Sequence, residues 1–275
     1  MDNRPILYLD SGIGGLPYFQ HGFSMNPHER FIYVADRENF PYGPKSKDLL
    51  VPLLTGLIER LINLYDPKVI VIACNTATVS ALEELRRRFP LIPFIGTVPA
   101  VKPAVLESGS GVIGVLGTAR TVEDPYINGL VEKYRPGAVI KAVAAPELVD
   151  FVENDYARAT LAEKERIVSN YMKIFRAAGA DAVVLGCTHF LFLIDEFRKA
   201  ALPEIKVYDS VEGVSLRLAY VLDDKQLRAD AAKRKEKNML IVTGSGPVQH
   251  VWKERAEIFG LNLLLLNDCP EKGEP

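Results

Sequence analysis

The sequence predicts an α/β protein of two similar domains, each a mostly parallel sheet flanked by helices. Three observations support this fold class. Short apolar runs alternate with longer amphipathic stretches along most of the 275 residues. The runs are nearly continuous in Val and Ile, which is typical of parallel strands buried on both faces. Two distant segments also resemble each other, which predicts two similar domains. The repeated order of strand and helix indicates βαβ units.

The elements follow in order from the period of their apolar residues. The predicted strands are short apolar runs bounded by turn residues: Ile6–Leu9, Phe31–Ala35, Val69–Ala73, Val112–Leu116, Val139–Ala142, Ala182–Leu185, Lys206–Tyr208, Leu240–Val242 and a last strand near Leu261–Leu266. The predicted helices repeat apolar residues at helical spacing: Lys47–Leu64, Ser80–Phe89, Pro125–Tyr134, Leu161–Ala178, Phe192–Ala200 and Glu212–Leu222.

An internal near-repeat predicts how the domains divide. Residues 69–76 (VIVIACNT) resemble residues 182–189 (AVVLGCTH), about one domain length later. Each is a buried strand, a small residue, a cysteine and a polar pair. We expect residues 1–97 plus 212–275 to form the first domain and residues 98–211 the second, with the active site in the cleft between them.

Composition excludes several classes of protein. A net charge of −2 argues against a nucleic-acid binder, and we interpret the basic run at residues 233–235 as a solvated helix end or loop. The sequence contains no run of 18 or more apolar residues, so no membrane span is predicted. The N-terminus lacks the pattern of a signal peptide. Three cysteines, at positions 74, 187 and 269, are not a disulfide framework. We therefore expect a protein of the reducing cytoplasm.

Polar and small residues follow several of the predicted strands. The turn Asp10–Gly15 follows the first strand, Cys74–Thr76 the third, Gly117–Thr118 the fourth and Gly186–His189 the sixth. Ligands of open parallel sheets bind beyond the carboxyl ends of strands. These residues are thus where the sequence predicts an active site.

The two cysteines at strand ends have several interpretations. A buried thiol can simply pack there, although a helix N-terminus would also stabilise a thiolate. A metal site would need more ligands, and neither CxxC nor HxxxH is present. A redox pair is usually closer in sequence. Nucleophilic catalysis with His189, or proton transfer by two thiols on opposite faces of a substrate carbon, remain.

The neighbouring motifs also have two interpretations each. Asp10 is either a helix N-cap or part of a glycine turn whose N–H groups hold a carboxylate, since the dinucleotide fingerprint GxGxxG is missing. His189 is either structural or a proton-holding partner of Cys187. Residues 40–43 (FPYG) form either a simple loop or a cover over a small ligand. We expect Cys269 to have no part in catalysis.

These motifs together resemble the glutamate racemases of the aspartate/glutamate racemase superfamily. The matching pieces are spread in order over most of the chain: DSGIGG at 10–15, Ala35-Asp36, FPYG at 40–43, ACNTA at 73–77, Gly117-Thr118 with Thr121, GCTH at 186–189 and Asp209-Ser210. The chain departs from the family pattern at Thr78-Val79, Gly117, Ala145-Pro146-Glu147 and Phe190-Leu191. None of these is a proton-transfer group.

The resemblance implies a mechanism without pyridoxal in which two thiols interconvert L- and D-glutamate. It makes Cys74 and Cys187 the bases for opposite enantiomers, and it makes Asp10, His189 and Glu153 their acidic and basic supports. It implies that the substrate is held by Ser11, Pro41, Tyr42, Gly43, Asn75, Thr76, Thr118, Thr121 and Thr188. D-Glutamate is a component of peptidoglycan, so the resemblance also implies a role in cell-wall supply.

The function predicted from the sequence is thus a cofactor-independent isomerase, with no metal. Its expected partners are a small-molecule substrate, glutamate, and a second copy of the chain in a homodimer, with no nucleic acid and no membrane. One alternative is a racemase or isomerase of the same superfamily acting on aspartate or another small acid. Others are an amino-acid-binding regulator without turnover, and a cysteine hydrolase, which would leave Cys74 unexplained.

Overall fold

The computed structural model describes residues 1–232, 236–245 and 250–268. The chain divides into two compact units, Met1–Thr97 with Val211–Pro275, and Val98–Ser210. The basic run at residues 233–235 and Cys269 lie outside the described residues. Both units consist of a parallel sheet with helices, so the predicted α/β class is confirmed.

The described strands form one sheet in each unit. In chain order they are β1 (Ile6–Asp10), β2 (Phe31–Ala35), β3 (Val69–Ile72), β4 (Phe94–Gly96), β5 (Val112–Gly117), β6 (Val139–Ala144), β7 (Ala182–Gly186), β8 (Lys206–Tyr208), β9 (Met239–Val242) and β10 (Asn262–Leu265). Within the described residues, the first sheet has the order β10-β9-β2-β1-β3-β4 and the second β6-β5-β7-β8. All of these pairs are parallel.

The described α-helices connect these strands. They are α1 (Leu16–Met25), α2 (Lys47–Tyr65), α3 (Asn75–Arg88), α4 (Val101–Glu107), α5 (Ala119–Val122), α6 (Pro125–Tyr134), α7 (Pro146–Asn154), α8 (Leu161–Ala177), α9 (Ile194–Ala201), α10 (Val211–Asp224) and α11 (His250–Ile258). Short 3₁₀ helices cover Arg37–Asn39, Thr188–Leu193 and Leu266–Asp268. No helix in the described ranges is both long and apolar enough to cross a membrane.

The core of the first unit explains why its central strands have no polar face. Every residue of β1, β2 and β3 is buried, as the continuous apolar runs predict. Helix α2 covers one face of this sheet with Leu50, Leu54, Ile58 and Leu61, which recur at helical spacing. Ser46 begins that helix by accepting a hydrogen bond from the Leu49 N–H at 3.3 Å.

The two edge strands of the second unit's sheet depart from the prediction. The central strands β5 and β7 are largely buried, and Ile113 and Val115 of β5 pack with Val184 of β7 in one apolar cluster. The edge strand β6 is instead half-exposed or exposed along its whole length. At the other edge, β8 has Lys206 exposed and Val207 half-buried. The prediction that all these runs are buried on both faces is therefore wrong for β6 and β8, because an edge strand is covered less than a central one.

Some elements were not predicted from the sequence. Strand β4 has only three residues, and helices α1, α4, α7 and α11 are short or are interrupted by Pro or Gly. Helix α3 begins at Asn75, earlier than the predicted Ser80. Its first turns contain β-branched residues that disfavour helix in isolation, so the sequence pattern placed the start too late. Tertiary packing outweighs such local preferences.

Candidate active site

The carboxyl end of β1 places a carboxylate in the interior of the first unit. Asp10 is the last residue of β1 and is fully buried. Its Oδ1 accepts hydrogen bonds from the Ser11 backbone N–H at 2.6 Å and from the Ser11 hydroxyl at 3.4 Å. Helix α1 begins only at Leu16, with Gly15 at its N-cap. The interpretation of Asp10 as a helix N-cap is therefore wrong.

The glycine turn that follows is held by a tyrosine of the neighbouring strand. The Tyr33 hydroxyl donates to the Gly12 carbonyl at 2.8 Å and accepts from the Gly15 N–H at 3.1 Å. A Cβ at Gly15 would lie 2.8 Å from the Ala73 Cβ and 2.9 Å from the Ala73 carbonyl oxygen. Glycine is required here because the turn approaches the residue before Cys74 so closely.

Cys74 lies at the junction of β3 and α3. It is the N-cap residue of α3, and only 7% of it is exposed. The unpaired N–H groups of a helix N-terminus favour a negative charge, so this position supports a thiolate. Asn75 and Thr76, the first two residues of α3, are buried beside it.

The side chain of Asn75 is polar and buried, and its amide is unusual in its hydrogen bonding. Neither its amide oxygen nor its amide nitrogen has a hydrogen-bond partner in the described part of the chain. A buried amide in that condition costs free energy. The arrangement fits a residue that bonds a ligand through both a donor and an acceptor.

The segment Phe40–Gly43 brings an aromatic side chain to the same region. Tyr42 is buried and packs in one apolar cluster with Cys74, while Pro41 is exposed and Gly43 half-buried. The Tyr42 hydroxyl donates to Asp36 Oδ2 at 2.6 Å. Burial and the Asp36 carboxylate raise the pKa of Tyr42 well above its ordinary value, and the charges of Cys74 and Asp10 add to this. Tyr42 therefore stays neutral close to both groups.

In the second unit, β7 ends at Gly186 and is followed by a hydrogen-bonded chain of three side chains. Cys187 Sγ lies 3.8 Å from His189 Nδ1, and His189 Nε2 lies 2.8 Å from Glu153 Oε1. All three residues are buried. Helix α7 supplies Glu153, and the 3₁₀ helix Thr188–Leu193 directly follows Cys187.

The protonation state of His189 follows from these partners. Burial alone lowers the pKa of an imidazole, but the hydrogen bonds and negative charges of Cys187 and Glu153 act in the opposite direction. The pKa of His189 is consequently held well above its ordinary value. The imidazolium form of His189 can thus hold a proton beside the sulfur of Cys187 at neutral pH.

Hydroxyl groups lie at the adjacent strand end of this unit. Gly117 of β5 is in register with Gly186 of β7, so the residues after them are neighbours. Thr118 caps α5 by accepting from the Thr121 N–H at 3.3 Å, and the two hydroxyls lie 3.1 Å apart. Thr121 and Thr188 are buried. The second unit thus offers a thiol with several hydrogen-bonding groups.

Neither Cys74 nor Cys187 takes part in a disulfide within the described residues. The same residues contain no group of three or more His, Cys, Asp and Glu side chains that could hold a metal ion. The thiols and hydrogen-bonding groups that follow β3 and β7 are of the types that acid/base chemistry on a small polar molecule requires.

Comparison with known proteins decides the family. The family model for Asp/Glu/hydantoin racemases matches residues 21–214. This chain belongs to that family. It is therefore an amino-acid racemase, an isomerase, and the resemblance to glutamate racemases found in the sequence motifs is confirmed.

Individual racemases match along nearly the whole chain. The glutamate racemase of Brucella anthropi is 36% identical over 262 residues, which are 94% of this chain and 93% of that protein. The Escherichia coli glutamate racemase, solved with L-glutamate and the activator UDP-MurNAc-Ala, superposes with a TM-score of 0.83 at 28% identity and covers 95% of this chain and 97% of its own. The Francisella tularensis glutamate racemase, solved with D-glutamate, gives 0.79 at 25% identity, covering 96% and 98%.

Three residues beside the groups of the candidate site were assigned no role from the sequence: Tyr33, Asp36 and Thr243. Asp36 belongs to a motif of the family, Tyr33 was predicted only as part of the strand Phe31–Ala35, and Thr243 was not predicted. Thr243 directly follows β9, and its hydroxyl donates to Asp36 Oδ1 at 2.7 Å. Thr243 also follows the predicted strand Leu240–Val242, and ligand sites form beyond the carboxyl ends of parallel strands. Its place in the sequence was therefore a signal that could have identified it.

Proposed function

We propose that this racemase interconverts L- and D-glutamate by moving the α-proton between the substrate and the thiols of Cys74 and Cys187, without a cofactor. The observation that supports this most is that, among the described residues, each unit has a buried thiol at the carboxyl end of a parallel strand, with polar groups beside it. Packing alone would not require both. The glutamate racemases that match most of the chain support glutamate as the substrate.

The proposed chemistry is a balanced exchange of protons at one carbon. One cysteine, as a thiolate, removes the α-proton and becomes a thiol. The other cysteine, as a thiol, delivers its proton to the opposite face of the same carbon and becomes a thiolate. The reverse reaction exchanges the two roles, which suits an enzyme that must accept both enantiomers.

The surrounding groups have the electrostatic task. Removal of the α-proton places negative charge on the α-carbon and its carboxylate, which preorganised hydrogen-bond donors stabilise. The groups proposed for this are Ser11, Asn75, Thr76, Thr118, Thr121 and Thr188. Asn75 is the strongest of them, since both polar atoms of its buried amide are unpaired within the described residues. Pro41, Tyr42 and Gly43 would cover the substrate.

The supports of the two thiols differ in chemistry. His189 is bonded to both Cys187 and Glu153, so as imidazolium it can stabilise the Cys187 thiolate while Glu153 balances its charge. Asp10 lies in the half of the site that contains Cys74, and it would hold the substrate's ammonium group or the proton of the Cys74 thiol. The two thiols are thus tuned by different means for mirror-image tasks.

The cellular setting remains a prediction. Supply of D-glutamate for peptidoglycan follows from the proposed reaction, and a reducing cytoplasm would keep both thiols in the active form. The homodimer predicted from the sequence also stays a prediction, which sedimentation velocity of the purified chain would test.

The deciding experiment is α-proton exchange in D₂O. We expect the purified protein, with no pyridoxal added, to deuterate L-glutamate at Cα and to produce D-glutamate, as followed by NMR and chiral chromatography. L-Aspartate, assayed in parallel, tests the related small-acid function. Exchange with neither acid would contradict the proposal and would favour a binding protein without turnover.

Substitution of each thiol tests the two-base assignment. Cys74→Ser and Cys187→Ser should each abolish racemisation, because a serine hydroxyl is far too weak an acid to replace a thiol in either role. Single-turnover exchange of one enantiomer can survive in each variant, with the opposite enantiomer in the two cases. Full racemisation by either folded variant would refute the role of that cysteine.

A further inference from the structure

Three strand ends of the first unit lie side by side and carry polar side chains. Asp10 of β1 is in register with Ala35 of β2, and Ala35 with Val242 of β9. The hydrogen bonds continue one step past the strands, since the Asp36 N–H donates to the Asp10 carbonyl at 2.8 Å and the Thr243 N–H to the Ala35 carbonyl at 3.0 Å. Asp36 and Thr243 are thereby neighbours although 207 residues separate them in sequence.

The carboxylate of Asp36 is the centre of a buried polar cluster. Its Oδ1 accepts from the Thr243 hydroxyl at 2.7 Å, and its Oδ2 accepts from the Tyr42 hydroxyl at 2.6 Å. The Asn39 amide donates to both oxygens, at 3.2 and 3.0 Å. Asp36, Tyr42 and Thr243 are all buried. In a buried network of this kind, the loss of one hydrogen-bond donor leaves the Asp36 carboxylate incompletely hydrogen-bonded, which is costly where water is excluded.

Thr243 holds this cluster at two points. Besides donating to Asp36, its hydroxyl oxygen accepts from the Glu38 backbone N–H at 3.0 Å, and so fixes the 3₁₀ helix Arg37–Asn39. That short helix leads into the segment that carries Tyr42, whose ring packs in the same cluster as Cys74. A hydroxyl from the C-terminal part of the chain is thus connected to Tyr42 through the Asp36 carboxylate.

We propose that Thr243 is a positioning residue for the Cys74 half of the site, acting through Asp36 on Tyr42. Thr243 does not itself touch the reacting atoms. Its hydroxyl keeps the Asp36 carboxylate oriented, Asp36 keeps the Tyr42 hydroxyl in place, and the Tyr42 ring limits access to the Cys74 sulfur and shapes the space beside it. The consequence for turnover rests on the proposed function, whereas the consequence for the thiol does not.

The test uses the full chain and reads Cys74 directly. Wild type, Thr243→Val and Thr243→Ser are alkylated with iodoacetamide across a pH series, and mass spectrometry follows the peptides of Cys74 and Cys187 separately. Valine keeps the shape of threonine but lacks the hydroxyl. We expect Cys74 alkylation in Thr243→Val to be faster, on the order of threefold or more, because the covering segment opens more often. Thr243→Ser should restore the wild-type rate.

Two comparisons separate positioning from a general loosening of the fold. Cys187, whose described partners lie in its own unit, should keep its rate in every sample. Thr55→Val is the matched control, since it removes a half-buried threonine hydroxyl that donates to the Val51 carbonyl of the same helix, α2. Equal acceleration in Thr55→Val, or unchanged Cys74 alkylation in folded Thr243→Val, would overturn the proposal.

A double-mutant cycle tests the route through Tyr42. If Thr243 acts on Cys74 through Tyr42, Tyr42→Phe should accelerate Cys74 alkylation by itself, and Thr243→Val should add little to it. Fully additive effects would exclude this route. Should Thr243→Val fail to fold, Tyr42→Phe alone and combined with Thr243→Ser provides the test, and an unchanged rate in folded Tyr42→Phe would overturn the proposal.

Kinetics of the same variants connect the thiol to turnover. With glutamate, kcat/KM should fall about tenfold in Thr243→Val and recover in Thr243→Ser, since small displacements of a reacting group are costly. Because enantiomers have equal free energy, kcat/KM must fall equally in both directions, while kcat and KM can change unequally. Wild type without glutamate turnover but with the predicted Cys74 effect would refute the proposed function alone. Unchanged kcat/KM in folded Thr243→Val would refute the positioning role.

Discussion

The protonation of the His189 imidazole bears directly on the proposed role of the Cys187 thiol. Its imidazole is buried between a thiol and a carboxylate, and the pKa of His189 is raised because burial is outweighed by these two partners. A histidine proton retained through the neutral range is what a thiolate at Cys187 needs beside it. The same shift also makes the stability of the fold depend on pH.

Replacement of His189 by Asn should change this pH dependence in a defined direction. Since the folded pKa of His189 lies above its unfolded value of about 6.5, the folded state binds more protons than the unfolded state between the two values. The stabilisation from His189 is therefore fully present below the unfolded pKa and is lost as pH rises through the folded pKa. Urea unfolding at a series of pH values should show this decline in wild type.

The decline should be missing from His189→Asn. The exposed His28 provides the control, because His28→Asn removes a histidine outside the site and should follow the wild-type curve. Identical pH dependence of stability in wild type and His189→Asn would show that the pKa of His189 is not raised.

At the scale of the element, the site depends on how closely strand ends and turns approach one another. In the turn after β1, the α-carbon of Gly15 has no space for a side chain, because Ala73 at the end of the neighbouring strand lies against it. Ala73 directly precedes Cys74, so a displacement there is passed to the thiol. Tyr33 fixes the same turn from the other side.

Gly15→Ala is expected to force the turn and the end of β3 apart. Overpacking of this kind costs about 1–3 kcal/mol of unfolding free energy, and we expect racemase kcat to fall with it. Gly56→Ala is the matched control, since an added Cβ in the interior of α2 meets no atom within 4 Å. That change should stabilise the protein by about 0.5–1 kcal/mol. Equal stability of the two variants in urea would contradict the close approach at Gly15.

The elements also show how much the sequence could predict. The buried strands β1, β2 and β7 were predictable because burial on both faces leaves a continuous apolar run. Strand β4 was missed because three residues contain too little pattern, and α1 because its mixture of aromatic residues and glycine lacks a clear apolar stripe. The exposed edge strand β6 is as rich in Val and Ala as the central strands, and Lys141 is the residue in its run that indicates an exposed face.

From the residues themselves, contacts within the candidate site were predictable only between neighbours in sequence, and Glu153 was named only through the family resemblance. Cys187, Thr188 and His189 form one motif, and the motif itself indicates chemistry. The bond from His189 to Glu153, and the chain from Thr243 through Asp36 to Tyr42, join residues on different elements. Such contacts depend on strand order and register, which no local pattern specifies.

At the scale of the whole molecule, the chain leaves the first unit after Thr97 and returns to it at Val211. A buried ion pair ties the returning segment to the N-terminal part. Lys68 Nζ donates to Glu29 Oε2 at 2.5 Å, to the Asp2 carbonyl at 2.5 Å and to the Leu227 carbonyl at 2.7 Å. Glu29 Oε1 accepts from the Ala229 N–H at 3.0 Å. One ammonium group thus uses all three of its protons to join three distant segments.

Lys68→Met should therefore destabilise the first unit strongly. Methionine fills a similar volume but leaves the Glu29 carboxylate buried without its cation, and breaking a buried pair from one side typically costs about 3–5 kcal/mol. Lys68→Met combined with Glu29→Gln should lose less than Lys68→Met alone, because no uncompensated charge remains. The exposed pair Lys206–Glu107 is the control, and Lys206→Met should change stability little, since water screens such pairs. Urea unfolding of wild type and these three variants measures all of these differences. A Lys68→Met variant as stable as Lys206→Met would mean that the returning segment is held by apolar packing, and that the buried pair contributes no net attachment.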